Sequence, residues 1–455
     1  MSVAQTVSGK PTKSFKESLD SRLFGALWVE DLGWPFFLAA LLTPFAADNG
    51  SLLIALLAVQ FIMVIRAPLS AREKCLMCFL LGTVYSGVTF ASIRLYDLVV
   101  LVALAYFGIV RRASFRMSIL VKAFVGLAVV VALLFLSYSP AAVTQAFRFA
   151  LSLACCVLFS CVGASKREIA RCIMIPVAVA LYCAVVMLAR HDAIANVDGI
   201  FISTNFFLYG NEVRVAGFFS DPNKYMSFLL FMLFLIDWAK NSSKIRIENC
   251  LIFAGLLMTG SRTALISVAL YLVYKVIRAL SRNGFQALVF LFSIGITLLL
   301  TTLLITGGDI GKLVDAVWVG SAELFGRAHT LEINASLSED NRILIWQYAL
   351  DLISQSPLIG HGLDAYETLL PYPTHNTFLS LLLSGGLVYL LVFLLNTYPI
   401  ATTGDPVLFI ALILVPLLFL DLVDYRLLFC AVGIAEGVVA STDRRTMLRD
   451  GEGCK

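Results

Sequence analysis

The sequence predicts an all-α, polytopic integral membrane protein with about 12–14 transmembrane helices and one large, partly helical extracytoplasmic loop. Its 455 residues are 60% hydrophobic and only 14% charged, and their mean hydropathy is +0.89. A soluble domain does not need so much apolar surface, because its core saturates and the remaining side chains must face water. Apolar runs near the length needed to cross about 30 Å of hydrocarbon recur from Trp34 to Ala440.

The apolar runs place about fourteen spans along the chain, and the merging of short neighbouring runs leaves about twelve as an alternative. The predicted spans are 33–48, 51–65, 75–92, 97–110, 119–137, 149–165, 172–189, 226–239, 250–260, 263–279, 285–306, 376–396, 406–423 and 425–440. The chain therefore divides into a polar tail at 1–30, helices at 31–306 that include an outer loop at 190–225, a large loop at 307–375, further helices at 376–440 and a second tail at 441–455.

Positive charge alternates along the chain and predicts which loops face the cytoplasm. Reading the basic clusters as cytoplasmic satisfies the positive-inside rule at nearly every turn, so both termini are expected in the cytoplasm. No apolar segment with a cleavage site follows the polar first 30 residues, so no cleavable signal peptide is predicted. The clusters lie at Arg66 to Lys74, Arg111 to Arg116, Lys166 to Arg171, Lys240 to Arg246, Lys275 to Arg282 and Arg444 to Arg449.

The large loop contains a predicted amphipathic helix. Apolar side chains recur every three or four residues over 341–355, and Pro357 with the glycines of PLIGHGLDAY ends the helix in a turn. A helix with an apolar stripe outside the membrane is expected to lie on the transmembrane bundle as a lid. The predicted stripe consists of Ile343, Trp346, Leu350 and Ile353.

Two outer segments carry an arginine close to the apolar spans. In RVAGFFSDPNKY, residues 214–225, Arg214 is either an interfacial anchor or a binding group, and the Asp-Pro-Asn at 221–223 signals a helix start. In TGSRTALI, residues 259–266, Arg262 interrupts two short apolar runs, which costs about 2.5–3.5 kcal/mol on insertion scales unless the side chain pairs or lines a wet cavity. Arg262 is therefore either the anion receptor of a broken helix or a snorkelling residue that closes a helical hairpin.

The large loop and its end add Arg327, Arg342 and three histidines. His329, His361 and His375 lack the spacing of a zinc site and no CxxC joins them, so no metal and no other cofactor is predicted. A serine-hydrolase elbow and a P-loop are also absent from the sequence. What remains is a set of arginines, whose guanidinium fork suits phosphate oxygens, and His375, which either exchanges a proton near neutral pH or simply starts a helix.

Taken in order, these motifs resemble those of the O-antigen ligase and polymerase superfamily. An Arg-x-x-Gly-Phe stretch with a following Pro-Asn comes first, then Ser-Arg-Thr-Ala-Leu, then a loop with Arg-x-x-x-Trp, Pro-Leu-x-Gly-x-Gly and His-Asn before a span. The resemblance covers about residues 205–400 and depends on the order of the motifs and on their common side of the membrane. The matching residues are Arg214, Gly217, Pro222, Asn223, Ser261 to Leu265, Arg342, Trp346, Pro357 to Gly362, and His375-Asn376.

The resemblance implies a metal-independent glycosyltransferase of the bacterial inner membrane that moves a glycan from undecaprenyl diphosphate to an acceptor sugar on the periplasmic face. In ligases of the family the acceptor is the lipid A core, and in polymerases it is another carrier-linked repeat unit. The implied partners are the lipid-linked donor, a saccharide acceptor, the bilayer and other polysaccharide assembly proteins, with no nucleic acid. By this resemblance the catalytic residues are His375, Arg214 and Arg342, and the substrate-binding residues are Arg262, Asn376, Asn223 and Arg327.

Alternatives concern the acceptor and the class of protein. Some polymerases of the family carry paired Arg-x(10)-Gly elements, but here Tyr225 stands eleven residues after Arg214. Ile353 holds the equivalent position after Arg342, so the pattern is absent and a ligase, or an exopolysaccharide polymerase of another type, is favoured. Arg327 is the alternative to Arg342 as the acting arginine of the loop. A solute transporter is the alternative of another class, although its ionisable groups are expected near the bilayer midplane. A non-catalytic partner in polysaccharide export is a third interpretation.

Overall fold

The computed structural model describes most of the chain outside the two tails and residues 281–341. The described residues are 29–47, 49–90, 93–111, 116–190, 196–197, 200–202, 206–209, 212–219, 221–240, 245–280, 342–370, 372–403, 406–423 and 425–437. Within these ranges the chain is mostly helical and its strands are short. The predicted span at 285–306 and Arg327 lie outside the described residues.

Helices occupy the predicted spans that lie within the described residues. In chain order they are α1 (Val29–Leu42), α2 (Gly50–Arg66), α3 (Ala71–Val84), α4 (Leu95–Ala105), α5 (Met117–Leu136), α6 (Pro140–Val162), α7 (Lys166–Cys172), α8 (Met174–Arg190), α9 (Pro222–Lys240), α10 (Ile247–Met258), α11 (Arg262–Leu280), α12 (Arg342–Gln355), α13 (Ala365–Thr368), α14 (Thr377–Thr403), α15 (Pro406–Phe409), α16 (Val415–Phe419) and α17 (426–437). A 3₁₀ turn extends α1 at Thr43–Ala46, and π turns follow α4 at Tyr106–Val110 and α15 at Ile410–Leu414.

Several helices are suited to a lipid environment. Among the described residues, four are long and apolar enough to cross a membrane: Met117–Leu136, Pro140–Val162, Lys166–Met187 and Thr377–Thr402. Large apolar side chains point away from the bundle, and Phe124 and Phe135 of α5 are 71% and 84% exposed. Because apolar surface of this extent is unfavourable in water, the fold is that of a polytopic membrane protein.

The two ends of the bundle differ in charge. Basic residues of the predicted cytoplasmic clusters meet acidic partners at one end, where Arg171 lies 3.0 Å from Glu73 and Lys240 contacts Glu248. We call this the inner end, and we call the opposite end, which holds the starts of α9 and α14, the outer end. Basic clusters that alternate with less charged loops in the sequence therefore lie together at one end of the bundle. The side of the membrane that each end faces stays a prediction.

Short strands occupy the outer end between α3 and α9. An antiparallel sheet in the order β2-β1-β4-β3 is formed by β1 (Val88–Phe90), β2 (Ile93–Arg94), β3 (Asn196–Val197) and β4 (Ile200–Ile202), and a hairpin by β5 (Phe206–Tyr209) and β6 (Glu212–Val215). The predicted span 75–92 is wrong at its end, because α3 stops at Val84 and β1 pairs with β4 instead. Gly87 N–H donates to Phe218 O at 2.7 Å, which fastens the sheet to the segment that leads into α9.

The lid helix α12 packs on the bundle, as predicted, and its contact with α14 includes Ile353 of the predicted stripe but not Leu350. Ile345, Ala349 and Ile353 are buried, and the last two form a small core with Leu383 of α14. Leu350, which belongs to the predicted stripe, is 52% exposed. The buried residues follow an i, i+4, i+8 spacing that includes the small Ala349, so the centre of the buried face is displaced by one position from the predicted Trp346 and Leu350.

Helix α14 is interrupted at Gly385 and Gly386, and the turn that follows α12 fills the interruption. Gly386 has φ 60° and ψ −157°, which breaks the helical hydrogen bonds on both sides. A break at membrane depth is tolerated where the freed backbone groups find partners. Four hydrogen bonds supply them: His361 N to Leu383 O (2.8 Å), Gly362 N to Ser384 O (2.9 Å), Leu387 N to Pro357 O (2.9 Å) and Val388 N to Leu358 O (3.2 Å).

A Gly386→Ala substitution is expected to undock this turn. A Cβ atom at Gly386 would lie 2.3 Å from the Leu358 carbonyl carbon, in addition to the cost of about 1–3 kcal/mol for a residue other than glycine at φ 60° and ψ −157°. Gly163→Ala is the matched control, because Gly163 has φ 56° but its Cβ would lie 3.8 Å from the nearest atom. Thermal unfolding in detergent should show a clearly larger decrease in melting temperature for Gly386→Ala than for Gly163→Ala. Equal decreases in the two variants would contradict close docking of the turn.

Candidate functional site

The candidate site lies at the outer end, where the chain enters α14. His375 has φ 48°, and it is the one non-glycine residue with positive φ in the part of the chain that the structure describes. This conformation costs about 1–2 kcal/mol for a residue with a Cβ, so neighbouring contacts must hold it. The side chain is half-buried. Backbone strain of this kind is concentrated at functional sites, which makes the His375 turn the natural centre of the site.

Asn376 fixes the point at which the chain leaves the His375 turn. Its Oδ1 accepts hydrogen bonds from Phe378 N and Leu379 N at 3.0 and 3.1 Å, so Asn376 is the N-cap of α14. The helix therefore starts at Thr377, and His375 precedes the helix instead of lying on its first turn. An N-cap of this type contributes about 1 kcal/mol to the stability of the helix or of the protein. The substrate contact predicted for Asn376 stays a prediction.

A chain of hydroxyl groups links the His375 turn to an acidic residue. Asn376 N–H lies 3.3 Å from Thr374 Oγ1, which lies 2.8 Å from Ser380 Oγ. Ser380 in turn donates to Asp421 Oδ2 at 2.7 Å. Ser380 gives its proton to Asp421, whereas the one hydroxyl proton of Thr374 is shared between Asn376 O at 3.1 Å and Ser380 Oγ. The connected network is expected to hold both ends rigidly.

The lid supports the turn from the other side. Trp346 Nε1 of α12 donates to Thr374 O at 2.7 Å, so the indole fixes the carbonyl one residue before His375. The imidazole of His361 lies 2.7 Å from Leu352 O and thereby braces the end of α12. Ser139 Oγ donates to Asp364 Oδ2 at 2.5 Å, which ties the lid to the turn between α5 and α6.

The segment 420–425 connects α14 to the start of α9. Thr377 Oγ1 donates to Leu420 O at 2.7 Å and accepts from Leu422 N at 3.0 Å. Tyr425 OH then reaches Lys224 O at 3.4 Å. The His375 turn and the first turn of α9 therefore belong to one connected group of outer-end contacts.

The start of α9 is formed as the sequence predicts. Pro222 is the first helical residue, and Asp221 Oδ1 accepts a hydrogen bond from Asn223 N. Asn223 is half-buried, and its predicted contact with substrate stays a prediction. Gly217 just before this start has φ 59°, and a Cβ there would lie 3.6 Å from Ala184 N of α8.

A buried ion pair lies beside these segments. Arg426 Nε and Nη2 donate to the two carboxylate oxygens of Asp97 at 2.8 and 3.3 Å. The Tyr96 ring lies under the Arg426 guanidinium at 5.7 Å, and its hydroxyl accepts from Arg94 Nη1 at 2.6 Å. Arg94 also acts electrostatically on Tyr425. Two arginines therefore stand next to the contact between Tyr425 and α9.

The remaining predicted residues are placed by their backbone. Arg214 lies in β6 opposite Phe207, Arg262 is the first residue of α11, and Arg342 is the first residue of α12. Their side chains are outside the described residues, as is all of Arg327. Arg214 lies in β6, shortly before α9, and Arg342 begins the lid helix α12, so the backbone of each residue lies at the outer end.

Several residues of this region are absent from the sequence-based site. Arg426 and Asp97 each lie among the first residues of an apolar helix, and Asp421 lies near the end of the predicted span 406–423. The signal available in the sequence was the presence of opposite charges before two spans, in SIRLYD and in DLVDYR. Among the described residues no group of three His, Cys, Asp or Glu side chains is placed to hold a metal ion.

Comparison with known proteins supports the family resemblance. A family model described as O-antigen ligase matches residues 249–394. No curated protein matches the chain. The matched segment takes in most of α10, all of α11 and α12, and α14 beyond its interruption, and it includes Arg262, Arg342 and His375. The match confirms the resemblance to the O-antigen ligase and polymerase superfamily, and it indicates a function of the ligase or polymerase type.

Proposed function

We propose that this protein is an inner-membrane glycosyltransferase that transfers a glycan from undecaprenyl diphosphate to an acceptor sugar at the periplasmic face, as in O-antigen ligation to the lipid A core. The observation that carries the proposal is the His375 turn, which is strained, held from several directions and included in the O-antigen ligase match. The outer end is taken as periplasmic because the basic clusters gather at the inner end.

The proposed reaction is a displacement at the anomeric carbon of the donor. The acceptor hydroxyl oxygen forms the new bond to that carbon, the bond to the diphosphate oxygen breaks, and the diphosphate leaves with the electron pair. The hydroxyl proton is transferred to His375, which acts as the general base. A general base must lie within hydrogen-bond distance of its proton, so the rigid Thr374, Asn376 and Asp421 contacts serve to position the imidazole.

The departure of the diphosphate requires cationic donors. We assign Arg214 and Arg342 to this role and Arg262 to binding, with Asn223 and Arg327 as further contacts, by their correspondence to the family motifs. Arg262 and Arg342 are each the first residue of a helix. The N-terminus of a helix presents unpaired N–H groups and a positive dipole end, both of which favour a phosphate.

The choice between ligase and polymerase depends on the acceptor. The residues eleven after Arg214 and Arg342 are Tyr225 and Ile353, so the paired Arg-x(10)-Gly elements are absent, which favours a ligase or an exopolysaccharide polymerase of another type. Both activities use the same donor and the same displacement, so the residues assigned above serve either one.

Deletion of the gene is expected to separate the two activities. The experiment compares lipopolysaccharide on gels with an extract of undecaprenyl-linked glycans, in the deletion strain and after complementation with wild type or Arg214→Ala. Long glycan on the carrier with bare lipid A core is the expected result for a ligase, and wild type but not Arg214→Ala should restore ligation. Single repeat units on both carrier and core would instead indicate a polymerase. Normal fractions in the deletion strain would overturn the proposal and favour transport.

A further inference from the structure

A cavity of about 520 Å³ opens at the inner end, on the side of the bundle opposite to the candidate site. It lies between the loop before α3, the end of α4 and the junction of α6 with α7. Its volume is within the roughly 300–1,000 Å³ of small-molecule sites. Phe107 and Val162 form an apolar part of its lining, and Arg72 and Arg111 form a cationic part.

Both arginines have hydrogen-bond donors to spare. Arg72 Nη1 donates to Gly163 O at 3.3 Å, and Arg111 Nε donates to Tyr106 OH at 3.1 Å. A guanidinium carries five N–H donors. Among the described residues these bonds use one donor of each group, so the remaining N–H groups are available to the oxygens of an anion.

The carboxylate in the lining is already engaged. Glu168 Oε2 accepts from Ser165 N at 2.7 Å and Glu168 Oε1 accepts from Ser70 Oγ at 3.2 Å. The first of these bonds is half of the capping box of α7, whose other half is Glu168 N–H donating to Ser165 Oγ at 3.3 Å, and the second ties Glu168 to the loop before α3. Two guanidinium groups against one committed carboxylate leave the lining with a net positive charge.

The cavity lies at the level where apolar surface gives way to charge. Immediately before Arg111, Ile109 and Val110 are 76% and 66% exposed. Tyr106 beneath them combines an exposed ring with a hydroxyl that binds Arg111. Aromatic residues and arginines with this arrangement mark the boundary between hydrocarbon and headgroups. A ligand in the cavity therefore faces apolar side chains on one side and guanidinium groups on the other.

We propose that this cavity binds an anionic glycerophospholipid of the inner-end leaflet, with the phosphate between Arg72 and Arg111. The acyl chains continue along the exposed apolar face of α4 and its π turn. This site is separate from the glycan site, and the proposal does not depend on the transfer activity. A lipid headgroup and free phosphate share the chemistry that the arginines recognise, so the experiment must distinguish them.

Native mass spectrometry of the delipidated full-length protein in detergent provides the test. The protein is titrated with phosphatidylglycerol, and the population of lipid adducts is compared for wild type, Arg111→Gln, Arg72→Gln and Arg111→Lys. Loss of one guanidinium is expected to weaken binding about tenfold, the factor expected for one charge-assisted hydrogen bond. Arg111→Lys keeps the charge but loses the fork, so an intermediate loss is expected.

Arg167→Gln is the matched control, because Arg167 is an exposed arginine at the same end that does not line the cavity. It should bind phosphatidylglycerol like wild type, and all variants should elute as monodisperse protein. Diacylglycerol with the same acyl chains should give no adducts. Equal binding by all variants would overturn the proposal, and so would displacement of the lipid by millimolar inorganic phosphate, which would indicate a site for free phosphate.

Discussion

Replacement of His375 by alanine is expected to lower the rate of glycan transfer about 10²–10⁴-fold, the usual contribution of a general base. The turn that carries His375 is also held by hydrogen bonds of Thr374, Asn376 and Trp346. These bonds remain in the variant, which is therefore expected to fold and insert. Transfer is measured with purified protein, a lipid-linked donor and an acceptor, and membrane levels of the protein are compared by immunoblot.

A His375→Gly substitution separates catalysis from structure. Glycine adopts φ 48° without the steric cost that other residues meet there, so this variant should be as stable as wild type or more stable by about 1 kcal/mol. Its transfer rate should fall as far as that of His375→Ala. Loss of transfer together with retained or increased thermal stability would identify a functional role, because a structural residue does not give that combination.

The matched control is His361→Gln. His361 lies in the same region and is also half-buried, but its imidazole braces Leu352 O of the lid. Glutamine retains a hydrogen-bonding group, so only a small change in transfer is expected. If His361→Gln and His375→Gly lowered transfer equally, the effect would come from the docking of the lid, and His375 would not be the base.

The positions of the helices are the part of the fold that the sequence predicts best. Hydropathy locates a span because crossing the membrane requires a continuous apolar run. The same criterion fails at the end of α3, where the apolar run continues through Val88 to Phe90. These residues form a strand because they pair with Ile200–Ile202, which lie more than a hundred residues away in the sequence. A partner so distant leaves no local signal.

The face of α12 and the strain at His375 were not predicted for similar reasons. Large apolar residues suggested a stripe that contains Leu350, but α14 accepts a face with the small Ala349 at its centre. The start of α14 follows from Asn376, a favoured N-cap. Histidine is among the residue types enriched at positive φ, but this preference is too weak to predict the conformation at a given position, and the hydrogen bond from Trp346 to Thr374 O beside it joins separate parts of the chain.

The residues of the candidate site divide in the same way. Local signals predicted the helix start at Asp221-Pro222-Asn223, since capping residues act within a few positions of the chain, and the role of His375, which came from the order of motifs, stays a prediction. The link from Ser380 to Asp421 and the pair of Asp97 with Arg426 join separate helices. In the sequence, the charged members of these pairs show only as charges near the ends of predicted spans.

Removal of either member of the Asp97–Arg426 pair is expected to be the most destabilising single change to the bundle. Both side chains are almost completely buried, at 6% and 3% exposure. Arg426→Leu removes the guanidinium that pairs with the Asp97 carboxylate, and Asp97→Leu removes the carboxylate that pairs with the Arg426 guanidinium. Each change is expected to lower the free energy of unfolding by about 3–5 kcal/mol. The free energy of unfolding in nanodiscs measures this loss.

The double variant Asp97→Leu/Arg426→Leu tests whether the loss comes from an unpaired charge. With both charges removed, the double variant should be more stable than either single variant, since replacement of a whole buried pair by apolar residues is often neutral. The Lys122–Glu436 pair is the control, because Lys122 is 37% exposed and its loss should cost less than about 1 kcal/mol. Additive losses at Asp97 and Arg426 would mean that each is stabilised by other neighbours. In that case other contacts, and not the ion pair, would hold Tyr96 and Tyr425 in place beside the start of α9.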